Sequence, residues 1–287
     1  MKFLVVFLLM FINFYAIAQK PIKLWGNKPD DYHKNKTKLF VYSPKSGDSS
    51  KTAIIFMPGG SYCYLSKQYE GHIPAEFFSK NIYTFVLYYR RGIHGNRYPT
   101  MIEDIQTAIL YVKEHFGIDT LGVCGFSAGG HLSGCAAFFY DKNYINLPQN
   151  RDKKILRPNF AVMCYPVVSM TRDFTHKKSR RNLLGQYRTT TAENEMSLEK
   201  NVNPNSPPVY VLVCKDDPIV DYRNSLALDS ALTQTQVPHY LDINNFGGHG
   251  FGVSEKKIKN IDKTAAQWPY RLEAWLDENF GISLKIK

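Results

Sequence analysis

The sequence predicts an α/β fold with a mostly parallel central sheet flanked by helices on both faces. Two observations carry this expectation. Short apolar runs recur without strict alternation, as strands covered on both faces require. Helix-length segments separate them, which makes βαβ units rather than hairpins. The chain has 287 residues, 44% of them hydrophobic. That content is enough for one large domain with a sizeable core.

The elements follow in order. Thr52–Met57 (TAIIFM) is an apolar run that stops at Pro58-Gly59-Gly60. Tyr83–Tyr89 (YTFVLYY) is the next strand, rich in aromatics. From Met101, apolar residues recur at Ile102, Ile105, Ile109, Val112 and Phe116, with charges on the other face. This is helical spacing, and Gly117 follows as a stop. Leu121–Cys124 is a short strand leading into a helical segment over Ala128–Tyr140. Phe160–Tyr165 ends at Pro166, and Val209–Cys214 ends in Lys215-Asp216-Asp217. A helix is expected over Val220–Thr233, a weaker strand over His239–Ile243, and a last helix over Ala265–Phe280, closed by Gly281. The segment after Gln19 reads as a polar lead-in. Two polar stretches, 141–157 and 169–207, break the rhythm. They are expected as excursions above the sheet, where substrate loops or a small cap would sit.

Residues 1–18 read as a signal peptide. Lys2 is followed by the apolar run Phe3–Ile12, and Ala16-Ile17-Ala18 places small residues before a cleavage site at Gln19. The run is short for a membrane span. Residues 19–287 are then a single exported domain, periplasmic or extracellular, with no membrane span after cleavage. The net charge is +11, and loss of Lys2 leaves +10. The charges are dispersed. The densest cluster, Lys177, Lys178, Arg180 and Arg181, has no interleaved aromatics, so no nucleic-acid partner is expected. Of the five cysteines, Cys124, Cys164 and Cys214 end apolar runs, and mostly unpaired thiols are expected. None has CxxC spacing, so no metal site is expected.

Gly125-Phe126-Ser127-Ala128-Gly129 matches G-x-S-x-G. Its setting, between a strand and a helix, is that of a nucleophile elbow. A tight turn lifts the Ser127 hydroxyl above the sheet, and the flanking glycines let strand and helix approach. The helix N-terminus behind the serine presents backbone N–H groups. The Ala128 N–H is therefore placed to hold an oxyanion. A second donor is expected from the loop after the first strand, at the N–H of Gly60 or Ser61. A serine needs a base. His249 stands in the glycine-rich Gly247–Gly252 loop after the last strand, which can carry an imidazole to Ser127. His131 lies four residues along the serine's own helix, so it packs instead. His72 and His94 are read as loop or pocket residues, and His33, His115, His176 and His239 as solvated or structural. The base needs a carboxylate on its other nitrogen. Asp217 is the first candidate and Asp216 the second. Asp221 is read as a capping charge. The order Ser127, Asp217, His249 is that of the α/β-hydrolases. No cofactor is required.

The chain resembles exported bacterial α/β-hydrolases related to acetyl xylan esterases and feruloyl-esterase-like lipolytic enzymes. The likeness runs from about Ile54 to Leu276. It is carried by PGGSY at Pro58–Tyr62, YLSKQYEG at Tyr64–Gly71, YYR at Tyr88–Arg90 and RYP at Arg97–Pro99. GFSAGGHLSG at Gly125–Gly134, CYPVVSM at Cys164–Met170, NLLG at Asn182–Gly185 and SPP at Ser206–Pro208 follow. KDDPIV at Lys215–Val220, NS at Asn224–Ser225, GGHGFG at Gly247–Gly252 and WPYRLEAWL at Trp268–Leu276 complete it. The resemblance implies a Ser127–His249–Asp217 triad and deacylation of esterified sugars, with a short, acetyl-sized acyl group. Relatives often carry a third glycine where this chain has Ser61. Glu70, Tyr89 and Arg90 also match, and are expected to form a structural pairing near the site. The other readings are a serine peptidase or a lipase on the same fold, or a non-catalytic glycan-binding protein.

Overall fold

The computed structural model describes residues 20–26, 37–45, 50–186 and 188–286. The expected signal segment at 1–18 lies outside the described residues. Eight strands form one sheet: β1 (Ile22–Lys23), β2 (Lys38–Tyr42), β3 (Thr52–Met57), β4 (Tyr83–Tyr88), β5 (Thr120–Phe126), β6 (Phe160–Cys164), β7 (Val209–Cys214) and β8 (His239–Asn244). Their order is β1-β2-β4-β3-β5-β6-β7-β8. β1 and β2 pair antiparallel, as do β2 and β4. Every other pairing is parallel.

The continuous apolar runs have a direct cause. Within β3, Ala53, Ile55 and Met57 enter one core and Ile54 and Phe56 the other. β7 divides in the same way, with Val209 and Val211 on one side and Tyr210 and Leu212 on the other. Helices α2 (Thr100–His115), α3 (Ala128–Phe138) and α6 (Arg223–Gln234) cover the first face. α1 (Ile73–Phe78) and α7 (Trp268–Phe280) cover the second. α4 (Lys177–Leu184) and α5 (Thr190–Glu195) lie within the 169–207 excursion.

Three differences from the sequence reading have physical reasons. The polar lead-in contains β2, an antiparallel strand whose burial partly alternates. α6 begins at Arg223 rather than Val220, because Asp217 Oδ1 accepts the N–H groups of Ile219 (2.8 Å) and Val220 (2.9 Å) and turns the chain there. α7 begins at Trp268, with Pro269 in its first turn, after a separate 3₁₀ turn at Thr264–Gln267.

The sheet positions the site. The chain leaves β3 by α1 to reach β4, and returns from β4 by α2 to reach β5 on the other side of β3. The two crossovers lie on opposite faces. The carboxyl ends of β3 and β5 therefore flank a topological switch point, where open α/β sheets bind ligands.

Candidate active site

Ser127 is the single residue between β5 and α3. Its backbone is at φ 56°, ψ −118°, a conformation that an L-residue holds only under constraint. The constraint is visible on both sides. The Ser127 N–H donates to Cys164 O at 2.9 Å, and its carbonyl accepts from His131 N at 3.1 Å and Val167 N at 3.2 Å. A Cβ on Gly125 would lie 1.9 Å from Gly129 O, and one on Gly129 would lie 2.1 Å from Met57 O. The two glycines of the motif are thus where strand and helix backbones touch.

Three side chains meet above this turn. His249 Nε2 is 2.9 Å from Ser127 Oγ, and His249 Nδ1 is 2.6 Å from Asp217 Oδ2. A carboxylate only accepts, so Nδ1 carries the proton, and Nε2 is free to accept from the serine. The Asp217 side chain is fully buried, and its other oxygen is occupied by the Ile219 and Val220 N–H groups. Asp216 does something else: its Oδ1 accepts the Gly248 N–H at 2.8 Å.

Gly60 and Ser61 line the same cavity as Ser127 and His249, which has a volume of about 420 Å³. Gly60 is at φ 129°, and a Cβ there would lie 2.2 Å from Tyr64 O. Ser61 is at φ 55°, so a residue with a side chain sits in left-handed backbone. Asn182 Nδ2, from α4, donates to Ser61 O at 2.8 Å and fixes that peptide. Ala128 is the first residue of α3, so its N–H has no intrahelical partner. The cavity wall also carries Tyr64, Ser66, Tyr69, Glu70, His176, Lys178 and Lys257.

The expected Glu70–Tyr89–Arg90 pairing does not form. Arg90 Nε instead meets Asp104 Oδ1 at 3.0 Å, and its Nη2 meets Glu103 Oε2 at 2.7 Å. The Tyr89 hydroxyl donates to Pro58 O at 2.6 Å. Glu70 turns toward the site. Its Oε2 accepts the Gly59 N–H at 3.1 Å, and its Oε1 accepts the Tyr165 hydroxyl at 3.0 Å. Burial pushes its carboxyl up, and the charge of His249 and these donors pull it back.

The histidines sort by partner. His131 is buried between the Tyr62 hydroxyl (2.7 Å) and Met196 O (2.8 Å). His72 lies between the hydroxyls of Tyr42 (2.6 Å) and Tyr88 (2.5 Å), in the aromatic edge of the sheet rather than on the cavity wall. His176 is on that wall, a placement the sequence reading missed. Burial and the nearby His249 lower its pKa. All five cysteines are free thiols, and four are buried. Among the described residues no helix is long and apolar enough to cross a membrane, and no group of three or more His, Cys, Asp or Glu could hold a metal ion.

A mostly parallel sheet, a strained serine between strand and helix, and a histidine delivered by the last loop define an α/β-hydrolase. Within that class the chain belongs to the BD-FAE family, whose model matches residues 39–232. The matched stretch includes Ser127 and Asp217, while His249 lies beyond it.

Two relatives share about a third of their aligned residues with it. Endo-1,4-β-xylanase B of Butyrivibrio fibrisolvens is 32% identical over 77% of this chain and 35% of its own length. An acetylxylan esterase of Xylanibacter ruminicola is 30% identical over 82% of this chain and 47% of its own. The chain thus spans less than half the length of either relative. Among solved structures, an acetyl ester-xyloside bifunctional hydrolase from Caldicellulosiruptor lactoaceticus superimposes with a TM-score of 0.77 at 28% identity. That match covers 91% of this chain and 96% of the other.

Proposed function

We propose that the protein is a serine esterase that removes short acyl groups, acetyl in the first instance, from carbohydrates. The observation that carries the proposal is the unbroken line Ser127 Oγ, His249, Asp217, at 2.9 and 2.6 Å. In this reading His249 Nε2 takes the Ser127 proton as Oγ attacks the ester carbonyl. The N–H of Ala128, with that of Gly60 or Ser61, holds the oxyanion. Asp217 holds the Nδ1–H tautomer and offsets the imidazolium charge. The alcohol departs with the proton from His249 and leaves an acyl-serine. Water, deprotonated by His249, then releases the acid.

The carbohydrate assignment is supported by the names of the relatives: a xylanase, an acetylxylan esterase and an acetyl ester-xyloside hydrolase. It is also supported by Tyr64 and Tyr69 on the cavity wall, 54% and 40% exposed. Flat amphipathic rings suit the apolar faces of sugars. The 1–18 segment supports export to the periplasm or beyond.

The deciding experiment is acetate release from acetylated xylo-oligosaccharides by the wild-type protein and by Ser127→Ala. Release by the wild type alone is expected. No release from these substrates, with turnover of p-nitrophenyl acetate retained, would move the substrate to other acylated glycans. No turnover of either would remove the esterase reading.

A further inference from the structure

Glu70 is the one carboxylate among the residues lining the cavity, and it is 3% exposed. A buried charge is costly unless its oxygens are fully used. Here they are used in a particular way. Oε2 accepts from Gly59, on the loop that carries Gly60 and Ser61. Oε1 accepts from the hydroxyl of Tyr165, and the same hydroxyl oxygen accepts the Gly252 N–H at 3.0 Å. Gly252 belongs to the loop that carries His249, and its carbonyl accepts Trp268 Nε1–H at 2.8 Å. The Tyr165 ring lies against the His249 imidazole, with centroids 4.7 Å apart. Glu70 Oε1 also sits 3.9 Å from where a Cβ on Gly250 would be. Tyr165 holds this place at φ 38°, in left-handed backbone that a tyrosine adopts only when its surroundings impose it.

We propose that Glu70 is a positioning residue that ties the oxyanion loop to the histidine loop through Tyr165. In the same position it places a second negative charge behind the imidazolium that forms at His249 during attack. The proposal rests on the esterase reading for its kinetic part and on geometry alone for the tie. Other titratable groups surround His249: Asp217 at its Nδ1, His176 ahead of α4, Tyr165 beneath the ring, and Lys178 and Lys257 on the cavity wall. Asp216 and Lys259 line a neighbouring pocket with His249, so Asp217, Asp216 and Glu70 supply negative charge around the ring and Lys178, Lys257 and Lys259 oppose it.

The test uses Glu70→Gln and Tyr165→Phe, with Glu70→Asp as a second carboxylate variant should Glu70→Gln fail to fold. Aspartate keeps the charge but is too short to span both loops. Steady-state kinetics on p-nitrophenyl acetate are expected to show kcat reduced about 10- to 100-fold in Glu70→Gln, with KM within about twofold. The acid limb of its kcat/KM profile should move to lower pH, by about half a unit or more, because an imidazolium without Glu70 loses its proton more readily. Glu70→Asp should lose kcat while keeping the limb near its wild-type position.

Amide hydrogen exchange gives a readout independent of turnover. Glu70→Gln should speed exchange in both 58–62 and 247–252, and Tyr165→Phe mainly in 247–252. An unmoved acid limb in Glu70→Gln would overturn the electrostatic part. Exchange altered in only one loop by Glu70→Gln, or in neither, would overturn the tie. If the wild type turns over no ester, the esterase reading fails and the exchange data still decide the tie.

Discussion

Asp216 and Asp217 are adjacent in the chain and act on opposite parts of one loop: Asp217 Oδ2 meets the His249 imidazole at 2.6 Å, while Asp216 Oδ1 holds the Gly248 N–H at 2.8 Å. One fixes a ring and the other fixes the backbone that carries it. The two substitutions therefore separate sharply. Asp217→Asn puts an amide where Nδ1–H must donate, and favours the wrong tautomer. A kcat loss of about 10⁴-fold is expected, with little change in KM. Asp216→Ala removes a single hydrogen bond at an exposed position, worth about 1 kcal/mol, so activity should fall by less than about tenfold. Kinetics of the two variants on p-nitrophenyl acetate check the division. Equal losses would mean that Asp216 holds the His249 ring as closely as Asp217 does.

The elbow glycines differ in what they tolerate, and stability should report it. A Cβ on Gly125 would lie 1.9 Å from Gly129 O and 2.3 Å from its carbonyl carbon. Both are backbone atoms that cannot rotate away, so strand and helix must separate. Gly125→Ala is expected to cost about 3 kcal/mol or more. Gly250 is at φ 77°, and its nearest neighbour is the end of a side chain at 3.9 Å. Gly250→Ala carries only the left-handed strain of a single residue, about 1–2 kcal/mol. Urea unfolding of the two variants beside wild type measures the difference. A Gly125→Ala protein as stable as Gly250→Ala would contradict the close contact described.

The parallel strands inside the sheet were legible because each is covered on both faces and so reads as an unbroken apolar run; Thr52–Met57 and Val209–Cys214 match residue for residue, while β8, at the edge with Tyr240 and Ile243 exposed, reads more weakly. β2 was not, because an antiparallel five-residue strand whose burial partly alternates looks like a lead-in. α1 was not, because it has six residues and follows a π-helical turn rather than a cap. At the site, the meeting of Ser127, Asp217 and His249 was legible because each stands just after a strand, at the sheet's carboxyl edge, where the loops converge. Glu70 was legible as a residue that matters but not by its partner. Arg90 is the obvious charge complement in sequence, yet Asp104, one helical turn beyond Thr100, reaches it first and is itself fully buried. Nothing in spacing indicates that Tyr165 will supply the hydroxyl that Glu70 accepts. His176 was set aside for a related reason. It lies in the 169–207 excursion, whose path over the sheet is fixed by contacts such as Asn182 on Ser61 rather than by any periodic pattern.

His131 makes stability depend on pH in a defined window. Met196 O can only accept, so His131 Nε2 carries the proton and Nδ1 accepts from the Tyr62 hydroxyl. That neutral ring is fully buried in the first core, and burial lowers its pKa to about 4 from the ordinary 6.5. Between these values the unfolded chain binds a proton that the folded chain refuses. Stability is therefore full above pH 6.5 and falls as pH drops toward 4, by about 1.4 kcal/mol per pH unit from this residue, then levels off. His131→Gln keeps polar atoms for Tyr62 and Met196 but cannot titrate. It should be less stable than wild type at pH 7, and its stability should decline less steeply between pH 6.5 and 4.5. Urea unfolding of both proteins at several pH values gives the two slopes. His72 and His176 are also held below their ordinary value by burial, and they contribute equally to both proteins. The difference in slope therefore belongs to His131, and parallel slopes would mean that its ring accepts a proton without unfolding the helix that carries Ser127.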